Sequence, residues 1–333
     1  MSNFALSFIV LFALWGASPL NSGVANAETA HFNLTEDISG PDFFTHFNFE
    51  TIDDPTHGHV DYVRESRARY LNLLHYDAKT GRTRIDVEST ENSYGRGRAS
   101  VRLSSKSTFT TGLFLIDVQH VPEGNATWPA FWLFGPDWPN SGEIDVIEGI
   151  NNQPNNQSTL HTSSGCVMPT PSPATMTGTF LQSLDCNYID GTKGCSTQGP
   201  VGSFGPGLNA KGGGVFALLW TTQAISVWFW PRQQVPAAIS LGVNPDPSQW
   251  GLPVSYFPFG NSCPASHFVN HNVILNTTFC GDWAGPNFKS DSGSGVDACN
   301  YYVHSNPAQF QNAYWDIQSI RIYAVQPSSS SLR

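Results

Sequence analysis

The sequence predicts an all-β fold, a large sandwich of antiparallel strands, and three observations predict it. Apolar residues alternate with a period of two, not 3.6. The apolar runs are bounded by turn formers, with 30 glycines and 23 prolines among 333 residues. Strand runs fill the chain between these turn clusters, which favours a sandwich over a helix bundle.

Taken in order, residues 99–105 (ASVRLSS) and 112–121 (GLFLIDVQHV) read as strands. Residues 142–150 hold an acidic run. Residues 215–230 (VFALLWTTQAISVWFW) read as two strands about a turn near Thr222-Gln223. Residues 271–279 and 315–325 complete the obvious set. One short helix is expected near the end, capped by Asn306 and begun by Pro307, with Phe310, Ala313 and Tyr314 on its apolar side. Residues 199–214 are Gly-rich. They lack the G-x-x-x-x-G-K-[ST] pattern of a phosphate loop and read as an extended surface loop.

The first 27 residues carry no charged side chain. Their apolar run, 5–17, is shorter than the roughly 20 residues a membrane span needs. Ala25-Asn26-Ala27 supplies a small-x-small cleavage pattern, although Met1-Ser2-Asn3 lacks the usual basic residue. The expected organisation is a signal over 1–27, one domain over 28–326 and a Ser-rich tail over 327–333. The tail lacks the apolar terminus of a lipid-anchor signal. A soluble, secreted monomer is expected, extracellular or in the cell wall.

Six cysteines, Cys166, Cys186, Cys195, Cys263, Cys280 and Cys299, fit an oxidising compartment and form no C-x-x-C pair. Their pairing is open, but the short Gly/Asp-rich interval from Cys186 to Cys195 suits a local hairpin staple. Four sequons, at Asn33, Asn125, Asn156 and Asn276, offer acceptors for N-glycans. The formal net charge is -10 with only 16 Lys and Arg, which excludes a basic nucleic-acid face. Charged residues and aromatics each make up 13%. Few charges, many aromatics and many turns suit a partner that is a neutral polymer such as a glycan.

The acidic run is Glu143-Ile144-Asp145-Val146-Ile147-Glu148. Side chains alternate along a strand, so Glu143 and Asp145 share a face and Glu148 is out of phase by one. A bulge near Ile147 would return Glu148 to that face. Two carboxyls so placed suit glycosidic bond cleavage with retention, in which one attacks the anomeric carbon and the other protonates the departing oxygen. Close like charges push one carboxyl pKa up and divide those roles. Trp128, Phe131, Trp132 and Trp138 lie just upstream, and aromatic faces stack on the C–H faces of sugars. Pro129, Gly135, Pro136, Pro139 and Gly142 make a loop the expected form of that stretch. His57-x-His59 has no third metal ligand in sight and reads as loop surface.

Residues 127–151, TWPAFWLFGPDWPNSGEIDVIEGIN, closely resemble the signature of glycoside hydrolase family 16, in its fungal laminarinase-type endo-1,3(4)-β-glucanases. DPTHGHVDYV (54–63), residues 97–124, LHTS (160–163), CGDWAG (280–285) and AYWDIQSIRIY (313–323) also resemble that family, so the likeness covers nearly the whole chain after the expected signal. It implies a concanavalin A-like β-jelly-roll of two curved antiparallel sheets with a concave substrate cleft. It implies Glu143 as nucleophile, Asp145 as assisting carboxylate and Glu148 as acid/base. Trp132, Trp138, His161 and Trp283 match positions that line the family's sugar subsites. Trp128 is a weaker match, and Arg98 or Arg102 is expected to reach sugar from a cleft strand. No cofactor is implied. Some members carry a structural calcium ion, and no pattern in this chain marks a site for one.

The expected partner is β-1,3-glucan, as polymer or oligosaccharide, with mixed 1,3/1,4 or 1,6-branched chains as extensions. A wall transglycosylase on the same fold is the first alternative. A non-catalytic glucan-binding protein is the second, and the three intact acids argue against it.

Overall fold

A computed structural model describes residues 31–326 except 182, 189–193, 243–244 and 292. The expected signal (1–27) and Ser-rich tail (327–333) fall outside the described residues. Two large antiparallel sheets pack face to face. The first runs, in spatial order, Ser255–Pro258, Ala224–Pro231, Gly214–Trp220, Gly112–His120, Trp315–Gln326, Arg82–Ile85 and Leu74–Asp77, with His31–Ile38 also paired to Trp315–Gln326. The second runs Thr179–Phe180, Cys195–Val201, Asn155–His161, Glu143–Glu148, Thr127–Phe134, Asn272–Phe279, Arg102–Ser105 and Phe47–Glu50. The acidic strand therefore sits near the middle of its sheet.

Between the sheets lies one large core. Phe131, Leu133, Ile144, Leu160, Val273 and Leu275 meet Phe114, Ile116, Phe216, Leu218, Ile320 and Ile322. Each such side chain, fully buried, contributes about 1.5–3 kcal/mol. The first sheet is also covered on its far side, where Leu113, Leu115, Val215, Ala217 and Trp228 pack under Ile239. Burial on both faces explains why residues 215–220 and 225–230 read as nearly continuous apolar runs. The second sheet alternates instead, because one face is core and the other is the cleft.

Three local expectations are corrected. The stretch after Trp128 is a strand, Thr127–Phe134, and only 135–142 is loop. Pro129 is tolerated because the pairing with the acidic strand stops at Ala130, so one side of Pro129 has no strand to bond. The helix expected from Asn306 is a four-residue 3-10 turn, Pro307–Phe310, and a ten-residue helix, Val296–Ser305, precedes it. The Asn306 amide donates back to the Tyr302 carbonyl at 3.0 Å, closing that earlier helix rather than capping a later one. The Gly-rich segment contributes the end of the strand Cys195–Val201 and a helical turn, Gly205–Asn209. Its Phe204 and Leu208 are fully buried, which anchors it to the core.

All six cysteines pair, as Cys166–Cys263, Cys186–Cys195 and Cys280–Cys299. The short staple from Cys186 to Cys195 is as expected. Cys280–Cys299 ties the end of the Asn272–Phe279 strand to the helix Val296–Ser305. Just past that tie, the turn Gly281–Ala284 carries Trp283.

Candidate active site

The acidic strand lies between Thr127–Phe134 and Asn155–His161. Its first half is regular: Glu143 pairs with His161 and Phe134, and Asp145 with Thr159 and Trp132. Then the register slips. Ile147 pairs with Phe131, the next residue on that neighbour, so Val146 is the extra residue of a bulge. On the other side, Glu148 pairs with Gln157. Consecutive Val146 and Ile147 both point into the core, at 1% and 0% exposure. Glu148 thus returns to the face of Glu143 and Asp145, as the sequence required.

Each carboxyl has its own holder. The Trp138 indole N–H donates to Glu143 Oε2. The Trp128 indole N–H donates to Glu148 Oε1 at 2.8 Å. Asp145, 2% exposed, faces His161 Nε2 at 3.3 Å. Gly194, at φ +80°, backs the imidazole, and a Cβ there would meet Nδ1 at 2.5 Å. Only glycine therefore leaves His161 in place.

Burial, then the Asp145 charge, pushes Glu143 up to about 8. Burial, opposed by the Trp128 bond and by His161, pushes Glu148 up to about 7. Asp145 is raised too, by burial and then by Glu148. The three carboxyls titrate as one cluster that holds at least one proton at neutral pH.

The aromatic residues divide between the two ends. Trp283 packs edge-on against Trp128, with ring centres 5.6 Å apart. At the other end Trp138 meets Tyr188 edge-on at 4.7 Å, and Tyr188 meets His161 at 5.6 Å. Trp132 stacks on Phe134, donates to Asn276 Oδ1 at 2.8 Å and has the Arg102 guanidinium 4.8 Å over its ring. Arg102 is itself fixed by Glu50 at 2.6 Å. The cleft face thus collects Glu143, Asp145, Glu148, Trp128, Trp132, Trp138, His161 and Trp283.

Arg98 is corrected. It is 0% exposed, paired with Glu88 at 2.8 Å and bonded to the Val303 carbonyl, with its guanidinium over Phe310. The strand that carries it, Arg98–Ser100, belongs to a separate two-stranded parallel pair and ends before Val101. Arg98 therefore serves the interior behind the cleft. Arg102, on the sheet proper, supports Trp132.

Two expected glycan acceptors are corrected as well. Asn156 and Asn276 are 4% and 6% exposed, and both amides are engaged in buried hydrogen bonds. Asn33 is exposed, and Asn125 is half-buried with its amide oxygen accepting from Asn152.

Tyr188, Asn156 and Asn276 were missed from sequence. Tyr188 follows a cysteine in a loop, and only the fold brings it to Trp138. Asn276 interrupts an apolar strand, NVILNTTF, where an amide marks a bonded core position, whereas Asn156 lies in the polar strand NNQSTLH, which carries no such signal.

Among the described residues, Glu143, Asp145 and His161 are close enough to share an ion. Calcium takes six to eight oxygen ligands. Two carboxyls and an imidazole do not fit it.

A family model for the XgeA-like catalytic GH16 domain matches residues 47–323. A probable endo-1,3(4)-β-glucanase of Aspergillus fumigatus is 43% identical over 309 residues, covering 90% of this chain and 46% of that relative. The chain thus spans about half the length of the Aspergillus relatives it matches. Laminarinase 16A of Phanerochaete chrysosporium, solved with 6-O-glucosyl-laminaritriose in donor and acceptor sites, superposes with a TM-score of 0.81. It is 41% identical, over 89% of this chain and 100% of that one. An elongating GH family 16 β-1,3-glucosyltransferase superposes at 0.82 with 35% identity, over 88% and 100%.

Proposed function

The chain belongs to glycoside hydrolase family 16, and from that premise we propose that it is a secreted endo-β-glucanase. It cleaves internal β-1,3 linkages, and mixed 1,3/1,4 or 1,6-branched chains as well, by retaining double displacement. One observation carries the reading. The bulge at Val146 places Glu143, Asp145 and Glu148 on one face, flanked by tryptophans.

In the first step the Glu143 carboxylate attacks the anomeric carbon while Glu148 gives its proton to the glycosidic oxygen. The C1–O bond breaks, the shortened glucan leaves as an alcohol, and a glycosyl ester forms on Glu143. In the second step Glu148, now a carboxylate, takes a proton from water as that water attacks C1 and releases Glu143. Two raised carboxyls meet the first demand, because Glu148 must still hold a proton near neutral pH. Glu143 must be the ionised member. The Trp138 N–H and nearby His161 both favour its charged form, against the burial and the Asp145 charge that raise it. No cofactor enters either step.

The domain over 28–326 works outside the cell. Three disulfides support that placement, since such bonds persist in oxidising compartments. Asn33 is the acceptor best exposed for an N-glycan. The catalytic test is digestion of laminarin, lichenan and cellulose with products sized. Internal fragments from laminarin, lost in Glu143→Ser, are expected. Binding of laminarin without products would replace the reading with a glucan-binding protein.

A second reading is transfer of the glycosyl group to another glucan. The likeness to an elongating glucosyltransferase favours it, as does the Trp128–Trp283 pair beside Glu148, which offers aromatic surface to a departing or arriving sugar. Excess laminari-oligosaccharide separates the two, since longer chains would appear only with transfer.

A further inference from the structure

We propose that Asn156 is a positioning residue of the acid/base: its buried amide locks the bulge that turns Glu148 into the cleft. The inference rests on the reading of Glu148 as acid/base.

A bulge leaves its extra residue out of the ladder. Here that frees the Val146 carbonyl and the Glu148 N–H in a place where water cannot serve them. An unmet buried group of this kind is costly, because it gives up its water and gains no partner. One side chain answers both. Asn156 Oδ1 accepts from the Glu148 N–H at 3.0 Å, and Asn156 Nδ2 donates to the Val146 carbonyl at 2.8 Å. Ser158 Oγ gives the same carbonyl a second donor at 3.1 Å. Asn156 is anchored in turn, with its own N–H on Ser203 Oγ at 2.9 Å, and Ser203 donates to the Pro200 carbonyl at 2.6 Å.

The requirement is chemically narrow. A carboxylate head accepts but cannot donate, and an aliphatic one does neither. A hydroxyl does both but from a single atom; the amide puts its donor and its acceptor on two separate atoms that reach the Val146 carbonyl and the Glu148 N–H together, and glutamine would carry it one methylene too far. Glu148 is then held twice, by its backbone through Asn156 and by its carboxyl through Trp128. Asn156 and Ser158 are also the first and last residues of a sequon, and both are used up in the lock.

The lock is tested with two substrates. Laminarin needs a proton from Glu148 to release its sugar. A 2,4-dinitrophenyl β-laminaribioside does not, because its leaving group departs unprotonated, and its first-turnover burst reports attack by Glu143 alone. Asn156→Ala is expected to lower kcat on laminarin by about a hundredfold, the lower range for general acid catalysis. KM should stay within about threefold and the dinitrophenolate burst within about tenfold, in the pattern of a positioning defect. Ser158→Ala should repeat the pattern with a loss of only a few-fold. Equal losses on both substrates, or a raised KM at unchanged kcat, would overturn the proposal. If Asn156→Ala fails to fold, Ser158→Ala decides, and an unchanged ratio of the two activities overturns it. Glu148→Gln in the same assay separates the premises. If it shows no such split, the acid/base assignment fails and takes the lock with it. If the unmutated enzyme releases nothing from laminarin, the hydrolase reading fails first. Peptide mass analysis of active enzyme gives an independent check, since a glycan on Asn156 is incompatible with the lock.

Discussion

At its start the acidic strand keeps regular register, with Glu143 opposite His161 and Asp145 opposite Thr159; at its end Glu148 reaches Gln157 only because Val146 is passed over. The first half is placed by alternation, and its helpers stand in the open. Trp138 is 39% exposed on a loop, and Tyr188 is 41% exposed. The second half works against alternation, and its helpers are built in. Trp128 stands on a strand, and Asn156 is buried beneath the bulge. The difference teaches where precision comes from. A nucleophile on a regular strand inherits its position from the sheet. An acid beyond a bulge needs buried polar groups that do nothing else.

The largest effects test whether the ends differ in kind. Glu143→Ser should remove activity on laminarin by several powers of ten, as loss of a nucleophile does. Azide should restore turnover of an activated aryl glycoside with the α-azide as product, because the small anion enters where Glu143 attacked. Glu148→Gln should lose about a hundred- to ten-thousandfold on laminarin, and azide should then give the β-azide. A shared product configuration would erase the distinction between the two ends.

A smaller effect reads the cluster as a whole, through stability. Glu143, Glu148 and Asp145 are all raised in the folded state. A raised folded carboxyl binds more protons than its unfolded counterpart, so its contribution is lost as pH rises through the folded pKa. His120 and His271, both lowered to about 4 by burial, act in the opposite sense, but only below the ordinary imidazole value of 6.5. Between pH 6.5 and about 8.5 the acids therefore act without them, and Tm should fall across that window. Glu143→Gln should flatten the slope and raise Tm at the alkaline end. A Tm that rises over that window, or a slope unchanged in Glu143→Gln, would contradict the shared titration.

The same contrast governs what could be read from the chain. Alternation alone put Glu143 and Asp145 together, and counting alone showed that Glu148 needs a bulge. The adjacent apolar pair Val146-Ile147 was the visible trace of it, since two neighbours enter one core only across a slipped register. What the bulge demands of its surroundings was not legible. Asn156 lies on another strand, and its role exists only after pairing. Arg98 misled for the opposite reason. Four residues from Arg102, it would share that cleft face on an unbroken strand, but the break at Val101 sends it to Glu88 and Val303. Pro129 misled as well, because whether a proline ends a strand depends on whether a neighbour needs its N–H, and that neighbour is set by topology.

The smallest effect separates the ends by sign. Glu143 and Glu148 each accept one indole N–H, from Trp138 and Trp128 respectively, and each bond favours the charged form. Replacing either tryptophan by phenylalanine keeps a ring and removes the donor, so each carboxyl should become harder to ionise. Hydrogen bonds to charged groups contribute about 1.5–3 kcal/mol, and water recovers part of that in a half-open cleft. The shift should then be about one pH unit, at 1.36 kcal/mol per unit. Trp138→Phe acts on the group that must be ionised, so the acid limb of kcat/KM moves up and the bell narrows. Trp128→Phe acts on the group that must keep its proton, so the alkaline limb moves up and the bell widens. Profiles from pH 3.5 to 9 on a soluble laminari-oligosaccharide resolve both. Movement of the same limb in both variants would mean that the two indoles serve one titrating group, and the division of labour along the strand would have to be redrawn.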